Sequence, residues 1–403
     1  MPLPFEHLRP GVDGEHLRPT DDQCPRRGAL VFPHPVRVDE LLGEDGISLR
    51  HRNSFCSNRF QIREYTLETK IEERESNSTM PDYELSCGLP PGPDFADLAV
   101  LAEELGYHRV WIFDSAPLWE DPFVHLALAA RRTTDIGLAT SVLVPQQRSE
   151  PAMAAGIATI ARLSGNRFRA CLGTGFTARY AAGQRPMTLA RLRDYTLAVR
   201  ELLAGGTATV DGAPARMLHA PGLAAARPLE VPIWLSAFGP KGTRLAGEIA
   251  DGLIGAPHPT LPTATIVSGT VLEPGEDPGA PRVREAIGPW RIVDWHNAYA
   301  TGGPDAVDAL PGGAEWRKAL EASTSPHERH LSIFEGHVTH LTDRDRRLLD
   351  HIDVRTLVGD TGRVRRQLNK MAGYGFREII YTPTGPDVAR ELRAFATTQE
   401  SNP

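Results

Sequence analysis

Hydrophobic and polar positions follow two alternating patterns along most of this chain. Short apolar runs predict buried strands, and longer segments whose apolar residues recur every three to four positions predict amphipathic helices. The predicted strands are 84–89, 109–114, 136–144, 168–173, 231–235, 253–255, 264–272 and 378–381. The predicted helices between and after them include 94–105, 122–132, 150–163, 188–203 and 387–395.

This alternation predicts a TIM barrel, because eight strands alternating with helices over about 320 residues are the pattern of an α/β, (β/α)8 fold. A doubly wound open sheet is the alternative, but that fold usually carries a glycine-rich phosphate turn after its first strand. Here the corresponding turn, GLPPG at 88–92, contains two prolines, which lack the amide hydrogens that such a turn supplies. We therefore predict the barrel.

A large insertion separates the last two predicted strands. It runs from about residue 273 to residue 363 and has charged helical segments with Gly/Pro-rich breaks at 302–304 and 311–313. We expect it to pack outside the barrel or to fold over its mouth. A second excursion, 204–230, is predicted to contain a hairpin around Asp211-Gly212.

The first 79 residues differ in composition from the rest. The sequence EHLRPGVDG at 6–14 is followed by EHLRP at 15–19, and no helical or strand period persists. A segment with so little to bury cannot offset its conformational entropy. We predict that residues 1–79 are mostly disordered, with a start codon assigned too early before Met80 as one explanation and a docking arm as the alternative. Residues 80–403 then form the barrel domain.

The stretch from 231 to 256 is the centre of the predicted fold. Its apolar run is followed by the turn FGPKG at 238–242 and by a helical segment that ends at Asp251-Gly252. The glycines leave backbone amides open, and the helix presents unpaired N–H groups and the positive end of its dipole. An anion, above all a phosphate, fits at such a turn. An ordinary tight strand-to-helix turn is the alternative.

Composition and charge narrow the classes of function. The chain has 403 residues, 41% of them hydrophobic, and a formal net charge of −7, which disfavours nucleic acid as the main partner. No apolar run approaches the length of a membrane span, and the N-terminus lacks the apolar core of a secretory signal. The four cysteines form no CxxC pair, so neither a disulfide framework nor a zinc site is indicated. We expect a cytoplasmic homo-oligomer with a small-molecule or peptide substrate and no membrane partner.

Polar and glycine-rich residues follow several of the predicted strands. In a barrel of parallel strands the carboxyl ends meet at one face, where active sites are found. The residues at these ends are Asp114-Ser115, Thr140-Ser141-Val142, Gly173-Thr174-Gly175, Ser236-Ala237-Phe238-Gly239 and Thr382-Pro383-Thr384-Gly385. A lone aspartate such as Asp114 more often caps the loop that follows, so its role stays open at this point.

Taken together and in order, these segments resemble the bacterial-luciferase-like superfamily, and within it the branch that uses the deazaflavin coenzyme F420. The resemblance covers residues 84–385. It is carried by WIFD at 111–114, LATSVLVP at 138–145, LGTG at 172–175 and GPKGTRLAGEIADG at 239–252. The last motif is similar to the phosphate loop and helix of methylene-tetrahydromethanopterin reductases and F420-dependent glucose-6-phosphate dehydrogenases. Flavin-using relatives share several motifs, so flavin mononucleotide (FMN) is the alternative cofactor.

The resemblance implies a role for each matching residue. Ser141-Val142 matches a non-prolyl cis peptide bond that supports the ring system of the cofactor from behind. Asp114 matches the residue at the pyrimidine edge of the ring. The other positions that match the cofactor site, including the phosphate loop, are Gly173, Thr174, Ala237, Phe238, Gly239, Pro240 and Lys241.

Two positions depart from the sugar-phosphate dehydrogenases of this branch. Those enzymes carry a histidine after the aspartate and a glutamate after GTG, where this chain has Ser115 and Phe176. A serine hydroxyl is a poor acid unless it is activated, and phenylalanine has no proton to give. Oxidation of a sugar phosphate is therefore disfavoured. We predict instead that reduced F420 gives a hydride to an electron-poor C=C or C=N bond, with Phe176 and Trp119 as apolar walls of the substrate pocket.

Ser115 and His337 are the candidate catalytic residues for the accompanying proton transfer. His337 belongs to the sequence EGHVTH at 335–340 in the insertion, whose spacing is poor for a metal site, and we predict no metal. A hydrogen-bonded structural role is the alternative for His337. Two other functions stay open for the whole chain: an FMN-dependent luciferase-like monooxygenase, and a catalytically silent barrel that only binds a cofactor.

Overall fold

Eight parallel strands close into a barrel in the computed structural model, which describes residues 83–349 and 356–400. These ranges contain twelve strands, of which eight form the barrel. In chain order the twelve are β1 (Glu84–Leu89), β2 (Arg109–Ile112), β3 (Gly137–Thr140), β4 (Phe168–Leu172), β5 (Ala208–Val210), β6 (Ala213–Ala215), β7 (Ile233–Ala237), β8 (Leu253–Gly255), β9 (Thr263–Val267), β10 (Gly269–Val271), β11 (Leu357–Gly359) and β12 (Glu378–Tyr381). The order around the barrel is β1-β12-β9-β8-β7-β4-β3-β2, and β1 pairs with both β2 and β12. This closure confirms the predicted TIM barrel, and the open-sheet alternative is wrong.

Helices occupy most of the connections between the strands. They are α1 (Phe95–Glu104), α2 (Pro122–Arg132), α3 (Glu150–Leu163), α4 (Phe176–Ala181), α5 (Leu189–Ala204), α6 (Pro240–Ile249), α7 (Pro281–Arg291), α8 (Val293–Asp308), α9 (Gly313–Ser323), α10 (Arg329–Ile333), α11 (Asp343–Arg346), α12 (Thr361–Gly373) and α13 (Val388–Ala396). Local sequence explains where several of them begin. The side chains of Asp121, Ser149 and Thr188 each accept a hydrogen bond from a first-turn amide of α2, α3 and α5, respectively.

The barrel strands are nearly continuous apolar runs because both of their faces are buried. Their outward side chains pack with the helices in one core, which includes Leu89, Ile112 and Phe168. The inward side chains form a second cluster inside the barrel, consisting of Trp111, Ala139, Cys171, Trp234, Ile254, Ala264 and Ile380. The ring centroids of Trp111 and Trp234 lie 5.8 Å apart, so the barrel interior is a packed core.

The third predicted strand, 136–144, is shorter in the structure. β3 ends at Thr140, and the peptide bond between Ser141 and Val142 is cis, as the resemblance implied. Pairing with β4 resumes at Leu143, which bridges to Leu172. The carboxyl end of β3 is therefore irregular where it reaches the face on which the predicted site lies.

The seventh predicted strand, 264–272, is two separate strands. β9 stays in the barrel, whereas β10 leaves it after Ser268 and pairs in parallel with β11. The short β10–β11 sheet marks the two ends of the insertion.

The smaller excursion, 204–230, contains the hairpin predicted around Asp211-Gly212, since β5 and β6 pair antiparallel and both turn residues have positive φ.

The insertion covers the carboxyl ends of the barrel strands. Its helices α7–α11 and the segment after them enclose a separate apolar core of Ile292, Trp295, Val307, Trp316, Leu320, Ile333, Phe334, Leu341 and Leu349. That core packs against Leu118, which follows β2, and against Phe176, Tyr180 and Ala181 on α4, which follows β4. Of the two placements that the sequence left open, the insertion therefore folds over the mouth.

The predictions for residues 1–79 concern a segment outside the described residues. Within the described ranges, none of the helices is both long enough and apolar enough to cross a lipid bilayer. All elements named above lie within one compact unit.

Candidate functional site

The carboxyl ends of four barrel strands bring most of the predicted site residues to one face. These residues are Asp114 and Ser115 after β2, Ser141 and Val142 after β3, Gly173 and Thr174 after β4, and Ala237, Phe238, Gly239, Pro240 and Lys241 at the end of β7 and the start of α6. The strands β2, β3, β4 and β7 are consecutive around the barrel. The residues therefore form a continuous arc along one side of the mouth.

Asp114 is buried and only half satisfied by hydrogen bonds. Its Oδ2 accepts hydrogen bonds from the backbone N–H of Val144 at 3.0 Å and from Nη1 of Arg148 at 2.7 Å. Its Oδ1 is buried without a hydrogen-bond partner among the described residues. Burial raises the pKa of Asp114, and the neighbouring Arg148 and the Val144 amide oppose that rise. Asp114 thus caps the loop after β3, as a lone aspartate often does, and also keeps one oxygen available for a ligand.

Arg148 is the site residue that sequence reasoning missed. It lies in the loop between β3 and α3, and its guanidinium bridges Asp114 and Asp121, whose Oδ2 accepts from Nη2 at 2.7 Å. Its side chain also lies over the ring of Phe123, 5.1 Å from the centroid. A single arginine in a polar loop does not reveal such a bridge in the sequence, because Asp114 and Asp121 lie 34 and 27 residues before it.

The ends of β3 and β4 are in direct contact. A Cβ atom at Gly173 would lie 2.6 Å from Cγ2 of Val142, so only glycine allows the strands to approach this closely. Thr140 strengthens the contact, since its hydroxyl donates to the carbonyl of Cys171 and accepts from the amide of the same residue. Val142 packs on the apolar cluster inside the barrel. The two strand ends therefore form a firm wall at the mouth.

The amino-terminal end of α6 is open to an anion. Gly239 precedes the helix with extended backbone angles (φ −106°, ψ 159°), and no side chain of the described residues caps the first turn. Pro240 takes the first helical position, so the nearest free amides belong to Lys241 and Gly242. In the described part of the chain no heavy atom lies within 4 Å of a Cβ built on Gly239. The site has space and amide donors, which is what a phosphate group needs.

Aromatic side chains form part of the rim of the mouth. The ring of Trp119 lies 5.4 Å from that of Phe113 between centroids, and the ring of Phe176 lies 5.0 Å from that of Tyr180. The carbonyl of the buried Ser115 accepts hydrogen bonds from the amides of Leu118 and Trp119, which fixes the loop that carries this tryptophan. The two predicted wall residues, Trp119 and Phe176, thus lie on loops that follow β2 and β4.

His337 is enclosed in the insertion rather than exposed at the mouth. Its Nδ1 lies 3.0 Å from Nδ1 of His296, and its Nε2 lies 3.4 Å from the hydroxyl of Thr177 on α4. Burial lowers the pKa of His337 to about 3, so the ring is neutral at neutral pH. These contacts describe a hydrogen-bonded structural histidine, and they do not provide a charged proton donor.

Within the described ranges, no group of three or more histidine, cysteine, aspartate or glutamate side chains is arranged to hold a metal ion. The prediction that the protein uses no metal stays a prediction.

The described residues form a (β/α)8 barrel with an uncapped turn before α6 and, after β2, a buried carboxylate that has one oxygen without a partner among them. Residues 71–270 match the family described as luciferase-like monooxygenase. Over this stretch the chain is similar to the bacterial-luciferase-like family, and the curated proteins that it is similar to include F420-dependent enzymes.

Two relatives show how far the similarity extends. A 5,10-methylenetetrahydromethanopterin reductase from Methanolobus tindarius is 36% identical over 174 residues, which are 41% of this chain and 50% of that protein. The chain thus matches about half the length of that relative. An F420-dependent glucose-6-phosphate dehydrogenase from Intrasporangium calvum is 28% identical over 332 residues, which are 76% of this chain and 93% of that protein.

A solved structure has the same fold. The coenzyme F420-dependent tetrahydromethanopterin reductase from Methanopyrus kandleri superposes with a TM-score of 0.52, covering 79% of this chain and 98% of that one. The sequence identity over the superposition is 20%, so this likeness concerns the fold alone.

Proposed function

We propose that this protein is an F420-dependent reductase, which transfers a hydride from the reduced deazaflavin to an electron-poor C=C or C=N bond of a small molecule. The observation that carries the proposal is the open turn at Gly239 before α6, because it offers space and unpaired amides to an anionic group at the mouth of the barrel. F420-dependent relatives supply the identity of the cofactor.

The residues at the mouth suit a deazaflavin with a phosphate-bearing side chain. The cofactor would supply the hydride chemistry, and the protein would orient it against the acceptor. Gly239, Pro240 and Lys241 would hold the phosphate group. The unpartnered Oδ1 of Asp114 would accept from an N–H group at the pyrimidine edge of the ring. Ser141-Val142 would support the ring, with Gly173 and Thr174 beside it.

The replacements at Ser115 and Phe176 favour reduction over oxidation. An enzyme that oxidises an alcohol needs a base near the hydroxyl, and neither residue can accept a proton at neutral pH. A reductase needs only a proton donor, which can be water or a group of the insertion. Because His337 is a neutral imidazole with a pKa of about 3, we do not assign it this role.

The insertion and the aromatic rim would give the acceptor an apolar pocket. Leu118, Phe176 and Tyr180 connect the mouth to the core of the insertion, so the space above the cofactor is covered on this side. Excluding water in this way protects a reduced cofactor and strengthens polar contacts with the acceptor. We therefore expect substrates that are largely apolar and planar around the reducible bond.

An FMN-dependent monooxygenase is the second candidate, because the family model that matches is described as luciferase-like monooxygenase. Such an enzyme would bind FMN at the same turn and consume oxygen with reduced flavin.

Titration of the purified protein with oxidised F420 and with FMN tests the identity of the cofactor. We expect F420 to bind at least about tenfold more tightly than FMN, which corresponds to about 1.4 kcal/mol. Quenching of the cofactor's fluorescence provides the readout for both ligands. Tighter binding of FMN would contradict the proposal and favour the monooxygenase.

A further inference from the structure

A second pocket lies at the opposite end of the barrel from the proposed cofactor site. It has a volume of about 260 Å³ and is bordered by the residues that begin β2, β3 and β4. Its charged and polar lining includes His108, Arg109, Asp135, Asn166, Arg167 and Arg169. The volume is several times the roughly 30 Å³ that one water molecule occupies in the liquid.

Two arginines in this pocket share one buried carboxylate. Glu378, the first residue of β12, is 1% exposed. Its Oε2 accepts from Nη1 of Arg169 at 2.7 Å, and its Oε1 lies 3.7 Å from Nε of Arg109. Oε1 also accepts from the hydroxyl of Ser86 and the indole N–H of Trp111. The carboxylate is therefore fully used, and the buried group carries two positive charges against one negative charge.

Two N–H donors of the guanidinium groups lack an acceptor among the described residues, whereas Nη1 of Arg109 donates to the carbonyl of Arg167 at 3.2 Å. The Nε atoms of Arg109 and Arg169 are both buried without a hydrogen-bond partner in the described part of the chain. Nη2 of Arg109 lies 3.3 Å from Nε2 of His108, and that same ring nitrogen lies 2.9 Å from Oε2 of Glu84. If His108 donates to Glu84, its N–H faces another donor on Arg109. A buried donor without an acceptor is costly, and so is a buried charge without a partner.

The other charges around the pocket do not neutralise this excess. Glu84 is about half exposed, and Asp135 lies at the exposed rim, so solvent and salt screen both carboxylates. Arg167 adds positive charge, while its N–H groups are used by backbone carbonyls such as those of Thr133 and Ser164. Burial, and then the charge of Arg169, lowers the pKa of Arg109 to about 10, which is consistent with incomplete compensation.

We propose that this pocket binds a small oxyanion, either a phosphate or a carboxylate. Guanidinium groups bind both through paired N–H donors, and a bound oxyanion would supply the missing negative charge. Gly137 makes the arrangement sterically feasible, because a Cβ there would lie 2.3 Å from Nη1 of Arg109. The site is separate from α6, so it does not depend on the proposed reductase activity.

Thermal unfolding of the full chain with inorganic phosphate tests the proposal. All samples carry Gly239→Val, which blocks the turn before α6. The Tm in phosphate is compared with the Tm in chloride at equal ionic strength. We expect phosphate at ten times its Kd to raise Tm by about 2–4 °C. Sodium acetate forms a second arm, in which an equal rise identifies a carboxylate as a suitable ligand and no rise identifies phosphate as the preferred one.

Two variants and a control locate the effect. Asn166→Asp adds a carboxylate to the lining of the pocket, so its repulsion of an anion should reduce the phosphate-dependent rise in Tm. Arg109→Lys keeps the charge but loses the fork of donors, and should weaken phosphate binding about tenfold. Arg131→Gln, which removes an exposed arginine of α2, should leave the phosphate effect unchanged. A phosphate effect that is absent from the Gly239→Val protein, or unaltered by Asn166→Asp, would overturn the proposal.

Discussion

Replacing Glu378 by glutamine is expected to lower the free energy of unfolding by about 3–5 kcal/mol, because it leaves buried arginines without their counter-charge. Both carboxylate oxygens are used in the structure, by Arg169 on one side and by Ser86 and Trp111 on the other. A neutral amide keeps the volume, but among the described residues it removes the only buried carboxylate paired with Arg109 and Arg169. Urea unfolding followed by tryptophan fluorescence measures the loss.

The matched control for this prediction is Glu84→Gln. Glu84 begins the neighbouring strand β1 and is paired with His108, but its side chain is about half exposed. Removing an exposed ion pair usually costs less than about 1 kcal/mol. Equal losses for the two variants would mean that the buried arginines do not depend on Glu378.

Gly239→Val is expected to weaken the binding of F420 about 100-fold, or about 2.7 kcal/mol, while the barrel stays folded. The extended backbone of Gly239 accommodates a branched residue, and a Cβ there meets no heavy atom of the described residues within 4 Å. The methyl groups would then occupy the space that we assign to the phosphate group, beside the first amides of α6. Fluorescence titration gives the Kd, and the melting temperature reports on the fold.

Two further variants control for this substitution. Lys241→Ala should weaken binding less, by about tenfold at most, because an exposed charge adds modestly to several backbone donors. Gly373→Val lies at the end of α12, before β12 and therefore at the other end of the barrel, and should leave binding unchanged. Normal binding by Gly239→Val would show that the phosphate lies elsewhere and that this segment is an ordinary turn.

The barrel strands could be predicted from sequence because each is an apolar run buried on both faces. An apolar run does not show where one strand ends and the next begins, as at 264–272, where a single run contains both β9 and β10. β10 leaves the barrel because its partner, Leu357 to Gly359, comes from the far end of the insertion. A pairing between segments so distant in sequence has no local pattern. For the same reason the sequence does not decide whether the insertion covers the mouth. That placement depends on contacts between the insertion and α4, which are distant in sequence.

The candidate site was only partly predictable. Glycine-rich turns and strand ends indicated the arc from Asp114 to Lys241, because local sequence determines those turns. Arg148 and the partner of His337 could not be found in this way, since both depend on tertiary contacts. Glu378 is a polar residue at the start of an apolar strand in the sequence, and its burial follows from where β12 enters the barrel.

The direction of the reaction tests the central claim most directly. Stopped-flow absorbance would follow reduced F420 mixed with an activated alkene or imine, and oxidised F420 mixed with glucose 6-phosphate. We expect the reduced coenzyme to be consumed by the acceptor, and the oxidised coenzyme to stay oxidised with the sugar phosphate, because Ser115 and Phe176 provide no base. Rapid reduction of oxidised F420 by glucose 6-phosphate would contradict this account.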